Sequence, residues 1–375
     1  LKTQEAMLRD WIEKNFKGDL YIWFIILVFS IMSILVVYSA TGTLAYQQQG
    51  GNTEYYLFKH SLLVIVSLGS MWFFHRINYR FYAKTSQLAL WISVPLLILV
   101  IFFGRNVNAA TRQFEVLGQS FQPSDLAKLA LIASIAGMLA KRQQKIEDVR
   151  QTLVPILVWC GLICGLIAVA NFSTAALLFA TCLLLMFIGR VPVKYLLRLI
   201  LVGILAGAIA LAVGTRKDTV ISRIERFLDP SQIPYQAEQS YIAVSTGGLV
   251  GKGIGHSEQR NILPNAYNDF IYAIIVEEYG MIGGIAVIGL YLLLLYRGMR
   301  IVADSDRPFG GLLAAGLSFS LVLQAFAHMA VSVGLAPVTG QPLPLLSMGG
   351  TSLLFTGVAI GIIISVSRGD LKEAR

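Results

Sequence analysis

The chain has 375 residues, 56% of them hydrophobic and 14% charged, with a formal net charge of +9 and a mean hydropathy of +0.68. Such a composition cannot cover its apolar side chains with a charged surface, which excludes an ordinary soluble domain and reads as an all-α polytopic membrane protein. The pI near 9.4 then reflects basic residues at the cytoplasmic rim of many spans, and no nucleic-acid partner is expected.

In chain order, residues 1–19 are mixed in charge and read as a cytoplasmic segment with no secretory signal. Apolar runs follow at 20–40, 57–74, 88–103, 126–140, 153–169, 172–188, 195–213, 270–296, 310–333 and 351–366. These predict ten transmembrane helices, the shorter ones completed by adjacent turns or tilt. Lysines and arginines crowd the loops that an inside N-terminus makes cytoplasmic, whereas the short outer loops offer only Lys59, Arg105 and Arg112. By the positive-inside pattern both termini are cytoplasmic, and the large loop 214–269 between helices 7 and 8 is extracytoplasmic. Residues 1–375 are taken as a single transmembrane domain. Cys160, Cys164 and Cys182 lie in apolar runs as small hydrophobes. Gly161/Gly165, Gly203/Gly207 and Gly357/Gly361 have the spacing of close helix approach.

Polar residues gather in four outer blocks, 112–128, 235–260, 263–278 and 336–352, so the working face is expected outside. In the first, Gln122-Pro123-Ser124-Asp125 reads as a helix start capped by Ser124 or Pro123. Lys128 either pairs with Asp125 three residues earlier or points into a polar cavity and binds phosphate. The glycines from Gly247 to Gly255 lack the order of a nucleotide-binding loop and instead imply tight turns and close backbone approach. His256 is read as a local hydrogen-bonding group, with ligand contact the alternative.

Asp269 stands where the long loop re-enters an apolar run, and an acid there is costly unless compensated. On one continuous helix Glu277 would lie roughly 12 Å further along the axis, too far for a carboxylate dyad. Glu277 and Glu278 need compensation of their own, and at least one is expected to meet a cation such as Lys128. The uncharged, proline- and glycine-rich stretch 337–352 reads as a re-entrant segment lining a cavity. His328, inside the preceding span, reads as a buried, hydrogen-bonded histidine, with proton transfer the alternative.

These motifs together resemble the SEDS family, the shape, elongation, division and sporulation proteins of bacteria. The likeness is carried by residues 121–128, Tyr235-Gln236 with Gln239-Ser240, Gly247-Gly248 with residues 251–255, Leu263-Pro264 with Asp269-Phe270, Glu277-Glu278 with Gly280, and Thr339-Gly340 through Ser352. The resemblance implies a bundle in the bacterial cytoplasmic (inner) membrane that polymerises lipid II, the lipid-linked peptidoglycan precursor, by glycosyl transfer. It implies a catalytic role for Asp269 and substrate contacts for Lys128, Arg112, Gln236, Gln239, Ser240, Lys252, Arg260, Ser347, Gly349 and Gly350. Supporting positions around the site fall to Asp125, Asn268, Glu277, Glu278 and His328. It leaves room for a divalent cation, magnesium or manganese, at the pyrophosphate.

The implied partners are a class B penicillin-binding transpeptidase and other membrane proteins of the division or elongation machinery. Residues 38–43 and 52–56 are similar to division-type members. The chain departs from the family at Asn265, Tyr267 and Asn268, where an acid, a histidine and a threonine are usual. Further departures are Asn171-Phe172-Ser173-Thr174, in place of Pro-Asp-hydrophobic-Gly, and Gln113, in place of tryptophan. Two other functions fit the composition: movement of lipid II or a solute across the membrane, and a non-catalytic scaffold for the transpeptidase. A pocket running from Asp269 toward Lys128, with an apolar furrow for the polyprenyl tail, is the expected geometry, since each CH2 kept out of water gains roughly 0.8 kcal/mol.

Overall fold

The computed structural model describes residues 15–107, 110–116, 119–143, 152–213, 217–229, 231 and 233–373. Most of the N-terminal segment 1–19 therefore lies outside the described residues.

The first helix, α1 (Leu20–Ala40), begins where the sequence breaks from charge to apolar residues. The Asp19 carboxylate caps it, accepting from Tyr21 N at 2.9 Å and Ile22 N at 3.4 Å. The same carboxylate accepts from Arg297 Nε at 2.8 Å, so one acid both starts a helix and ties it to a distant one. There follow α2 (Gly42–Gln49), α3 (Thr53–Arg76) and α4 (Tyr79–Phe103). Then come strands β1 (Arg105–Val107), β2 (Ala110–Val116) and β3 (Gln119–Phe121).

Chain order continues with α5 (Pro123–Lys141), α6 (Val154–Ala170), α7 (Phe172–Ile188), α8 (Val193–Val213), α9 (Lys217–Leu228) and α10 (Tyr235–Thr246). The last three are α11 (Ile271–Ala303), α12 (Pro308–Ser332) and α13 (Gly350–Glu373). Among the described residues seven helices are long and apolar enough to cross a membrane, namely α1, α3, α4, α5, α11, α12 and α13, while α6 and α7 are shorter apolar helices. The fold is an all-α, polytopic membrane-type bundle.

Burial arranges the helices. Helices α5 and α12 have most of their length enclosed and pack against each other at the centre, with α4, α7, α11 and α13 around them. Helix α13 also runs along α3, where a Cβ on Gly357 would collide with Ser67 O and one on Gly361 would meet Met71 O. Gly203 and Gly207 likewise face Phe179 and Phe172 of α7, but nothing lies within 4 Å of a Cβ on Gly161 or Gly165, so that pair is no packing contact here. The three cysteines are free, as expected of packing residues.

The structure adds three features to the sequence-based bundle. Strands β1, β2 and β3 form a small antiparallel meander in that order, with Asn106 opposite Thr111 and Glu115 opposite Ser120. The stretch between α8 and α11 contains helices α9 and α10. Finally, α11 is broken at Gly280, whose φ of 69° and ψ of −172° are open essentially only to glycine.

That break is filled by the glycine-rich loop. Lys252 N donates to Glu277 O at 2.9 Å and Gly253 N to Glu278 O at 3.0 Å. On the other side of the break, Met281 N donates to Gly248 O at 2.9 Å and Ile282 N to Leu249 O at 3.3 Å. The backbone groups that the broken helix frees are thus paired with another segment, as burial in protein or lipid requires. A Cβ on Gly280 would collide with Leu249 O, so the approach itself demands a glycine.

Candidate active site

The segment between α12 and α13 is irregular yet largely buried, with Leu343 at 1% exposure, Leu346 at 0% and Ser347 at 2%. It inserts among the helices. Leu346 O accepts from Ser33 Oγ at 3.2 Å, and Ser33 is seven residues before the end of α1, about 10 Å below it at 1.5 Å per residue. Pro344 O accepts from Tyr291 Oη, Pro342 O from Gln324 Nε2 at 2.9 Å, and Gln341 O from His328 Nδ1 at 2.8 Å. Side chains on α1, α11 and α12 therefore satisfy carbonyls that no helix can, the condition for irregular backbone at such depth. This is the re-entrant geometry expected of the segment, and His328 takes the hydrogen-bonded role.

The turn that precedes α11 rests on this segment. Ser347 Oγ donates to Asn268 O at 2.7 Å and accepts from Leu343 N at 2.8 Å, while Met348 N donates to Tyr267 O at 3.0 Å. Asp269 is thus held just ahead of α11, in a turn rather than on the helix, with Asp269 N donating to Asn265 O at 3.0 Å. Asn268 Nδ2 donates to Asp269 Oδ1 at 3.0 Å. Gly340, at φ 62°, comes close on the other side, where a Cβ would lie 4.0 Å from Asp269 Oδ2.

Beside the carboxylate opens a cavity of about 240 Å³. Among the described residues five parts of the chain wall it. The meander and the residue after it contribute Gln113, Ser120 and Gln122; Asn171 stands at the start of α7; the turn gives Asn265, Tyr267 and Asn268; the inserted segment gives residues 340–342 with 348 and 349; and the first turn of α13 gives residues 350–352. Asn171 is in place because it caps α7, accepting from Thr174 N at 3.2 Å. Thr351 Oγ1 donates to Ser120 O at 3.0 Å and accepts from Gln122 N at 3.2 Å, closing the meander onto α13. Tyr267 Oη donates to Asn265 Oδ1 at 3.1 Å. Burial first, and then the charge of Asp269, push the Tyr267 phenol up from its ordinary value.

The sequence-named residues divide around this cavity. Gly349 and Gly350 line it with Asn268, and Ser347 lies buried directly behind. Arg112 is on β2, but its side chain lies outside the described residues. Gln236 and Gln239 are half-buried on α10, whereas Ser240 is fully buried and donates to Ser332 O at 2.9 Å. His256 takes the local bond expected of it, Nδ1 to Ile254 O at 3.0 Å.

Three expectations need correction. The cap of α5 is Gln122, with Pro123 in its first turn, and Ser124 Oγ accepts from the Gln122 side chain at 2.8 Å. Lys128 meets neither Glu277 nor Glu278. It pairs with Asp125 Oδ1 at 2.8 Å, the i,i+3 arrangement, and donates to Gln324 Oε1 at 3.4 Å. The cavity lining therefore ends short of Lys128, which touches it only at second hand through Gln324 and Pro342.

The cation of Glu277 is Lys252, Nζ to Oε1 at 2.8 Å, and this pairing raises the Lys252 pKa. Glu277 is otherwise saturated by Ser257 Oγ and by the backbone N–H groups of Glu258 and Gln259, at 3.1 and 3.3 Å. Glu278 accepts from Ser39 Oγ of α1, to which Arg260 Nη1 donates at 2.9 Å. The sequence separates these partners by many residues, so only the docking of the glycine loop on the helix break reveals them. The meander's Gln113 and Ser120 were also missed; the alternation of Gln113, Phe114, Glu115 and Val116 was the available signal.

Among the described residues no three His, Cys, Asp or Glu gather in a metal-binding group. Asp269 is the carboxylate beside the cavity, and the lining supplies neutral oxygens.

Comparison with known proteins places this site in context. The family model of FtsW/RodA/SpoVE cell cycle proteins matches residues 19–371. A probable peptidoglycan glycosyltransferase FtsW of Geobacter sp. (strain M18) is 32% identical over 358 residues, covering 93% of this chain and 96% of the relative. Stage V sporulation protein E of Bacillus subtilis (strain 168) is 31% identical over 366 residues, covering 95% and 98%. In three dimensions the chain is similar to one in a peptidoglycan synthase complex that coordinates polymerisation and crosslinking. That match has a TM-score of 0.75 at 24% identity and covers 94% of this chain and 98% of the other. It is also similar to the rod shape determining protein RodA of Thermus thermophilus, with a TM-score of 0.70 at 24% identity over 94% and 97% of the two chains.

Proposed function

The chain belongs to the FtsW/RodA/SpoVE family of cell cycle proteins, and we propose that it is a peptidoglycan glycosyltransferase that polymerises lipid II, with Asp269 as general base. The observation that carries this is the Asp269 carboxylate held by Asn268 at the edge of a polar cavity. In the reaction, the hydroxyl at C4 of the acceptor sugar gives its proton to Asp269 while its oxygen bonds to C1 of the lipid-linked donor. The bond from C1 to the phosphate oxygen breaks, and the lipid pyrophosphate leaves with the electron pair.

The rigid turn fixes the base, which is where positioning lowers the barrier. Magnesium or manganese is commonly held by one or two carboxylates together with substrate phosphates; here Asp269 would be that carboxylate, and the ion would offset charge on the pyrophosphate. Arg112 is assigned to the pyrophosphate, while Lys128, held by Asp125 and Gln324, supports the wall behind the cavity. Gln236 and Gln239 on α10 cover the sugars.

We read the seven long apolar helices together with α6, α7 and α8 as ten spans; an even number puts both termini on one side, and the crowding of lysines and arginines there supports the cytoplasmic side, with loop 214–269 outside between the seventh and eighth. Residues 1–375 then act as one transmembrane unit of the cytoplasmic membrane. Similarity to FtsW relatives supports a division role. The likeness to a chain of a synthase complex supports a class B penicillin-binding transpeptidase as partner.

The test is incubation of the purified chain and its transpeptidase with lipid II, in detergent and in liposomes. Glycan polymer that disappears in Asp269→Ala supports the reading. Transbilayer movement of labelled lipid II without polymer would instead establish transport, and growth supported by Asp269→Ala would establish a scaffold.

A further inference from the structure

We infer that Gln341 is a positioning residue for the reaction at Asp269: its side chain ties the inserted segment to α7 beside the cavity and so fixes where Gly340 stands against the carboxylate. This rests on the glycosyltransferase reading and adds to it the contact that keeps the cavity wall in register with the base.

Two walls of the cavity meet at this residue. Gln341 is buried and lines the cavity, and its Nε2 donates to Thr174 Oγ1 at 2.7 Å. Thr174 lies in the first turn of α7, where its N–H donates to Asn171 Oδ1 at 3.2 Å, and Asn171 is a lining residue in its turn. Thr174 itself is buried behind the lining. Its bond to Gln341 is the one hydrogen bond among the described residues that joins the inserted segment to α7. The tie holds with either end of the amide toward Thr174, because a threonine hydroxyl both donates and accepts.

The local sequence explains why such a tie matters. Gly340 has a φ of 62°, and glycine constrains its own backbone less than any other residue. It stands against the base, where a Cβ would lie 4.0 Å from Asp269 Oδ2. Beyond it the chain stiffens: Pro342 fixes its own φ and biases Gln341 toward extended backbone, and Pro344 repeats the restriction two residues later. A permissive joint followed by a stiff arm moves as one piece.

Gln341 is where that arm is pinned on two sides. His328 of α12 holds its carbonyl, Nδ1 to O at 2.8 Å, while Thr174 of α7 holds its amide. Loss of the amide bond leaves the arm held from α12, through His328 and through Gln324 at Pro342 O, but released from α7. Gly340 is then free to shift relative to Asp269. Misplacement of about 1 Å around reacting groups costs up to about 10²-fold in rate, so the effect falls on turnover.

The test reads kcat and KM for lipid II with the full chain and its transpeptidase, at equal folded concentration, in Thr174→Val, Gln341→Met and the double variant. Valine keeps the shape of threonine without the hydroxyl, and methionine keeps the length of glutamine without the amide. Each single variant should lose about 10-fold in kcat with KM little changed. The double variant should lose no more than the larger single loss, because the same bond is absent in all three. Thr174→Ser restores the hydroxyl and should recover most of kcat.

An unchanged kcat in Thr174→Val, a loss confined to KM, losses that multiply in the double variant, or a Thr174→Ser as slow as Thr174→Val would each overturn the inference. If Gln341→Met does not fold, the comparison of Thr174→Val with Thr174→Ser decides alone. Asp269→Asn is run alongside: polymer formed by that variant at the wild-type rate would sink the parent reading, whereas an inactive Asp269→Asn with an unchanged kcat in Thr174→Val sinks this inference alone.

Discussion

Lys252 Nζ sits 2.8 Å from Glu277 Oε1, and that pair fastens the glycine-rich loop to the break in α11. Glu277 is fully buried and Lys252 only partly so. Removing the cation leaves the charge with its remaining donors alone. Lys252→Met should therefore cost about 1–3 kcal/mol, as loss of a charged hydrogen bond does. Adding Glu277→Gln should recover part of it, read as midpoints of thermal unfolding in detergent. A double variant less stable than the two singles predict would show that the pair is not the fastening.

Gly280→Ala tests the break itself. The conformation costs any other residue about 1–3 kcal/mol, and the new Cβ meets Leu249 O besides. The expected result is a lower unfolding midpoint together with faster proteolysis within residues 247–253, because the loop loses its seat. An unchanged cleavage rate would mean that the loop is held elsewhere.

Ser347→Ala removes the hydroxyl that spans Asn268 O and Leu343 N without touching the cavity wall. The turn carrying Asp269 then loses its brace. A small displacement of a base is expensive in rate, so kcat should fall about tenfold or more with KM little changed. A change confined to KM would place Ser347 in substrate contact instead.

The proposed topology is checked by labelling. Glu54 and Asp306 are both exposed, at the ends of α3 and between α11 and α12. With the native cysteines replaced, Glu54→Cys in spheroplasts should react with a membrane-impermeant maleimide, and Asp306→Cys only after permeabilisation. The reverse pattern would invert the bundle.

Much of the bundle was legible because helix ends in this chain carry local signals. The apolar run 20–40 begins after Asp19 and the run 172–188 after Asn171, and both residues cap the helices there. The break at Gly280 was not legible, since 270–296 is apolar throughout apart from Glu277 and Glu278, and glycine is common in membrane helices. The glycines from 247 onward announced close approach but not to what, because the carbonyls that receive Lys252 N and Gly253 N are those of Glu277 and Glu278, far along the chain. Helix α9 was also missed, although Val220, Ile221, Ile224, Phe227 and Leu228 repeat at helical spacing. Asp269 was legible as an acid at a boundary. Its neighbours on the meander, on α7 and on the inserted segment come together only through tertiary packing.

The most direct measurement is the initial rate of glycan polymer formation from purified lipid II by wild type and Asp269→Asn, each with its transpeptidase and at equal folded concentration. Asparagine keeps the size of the side chain and its place beside Asn268 but cannot take the hydroxyl proton. General-base catalysis is worth roughly 10²- to 10⁴-fold, and a fall of that order is the expected result. Polymer of normal length formed by Asp269→Asn at the wild-type rate would contradict the role of this residue and the chemistry built on it.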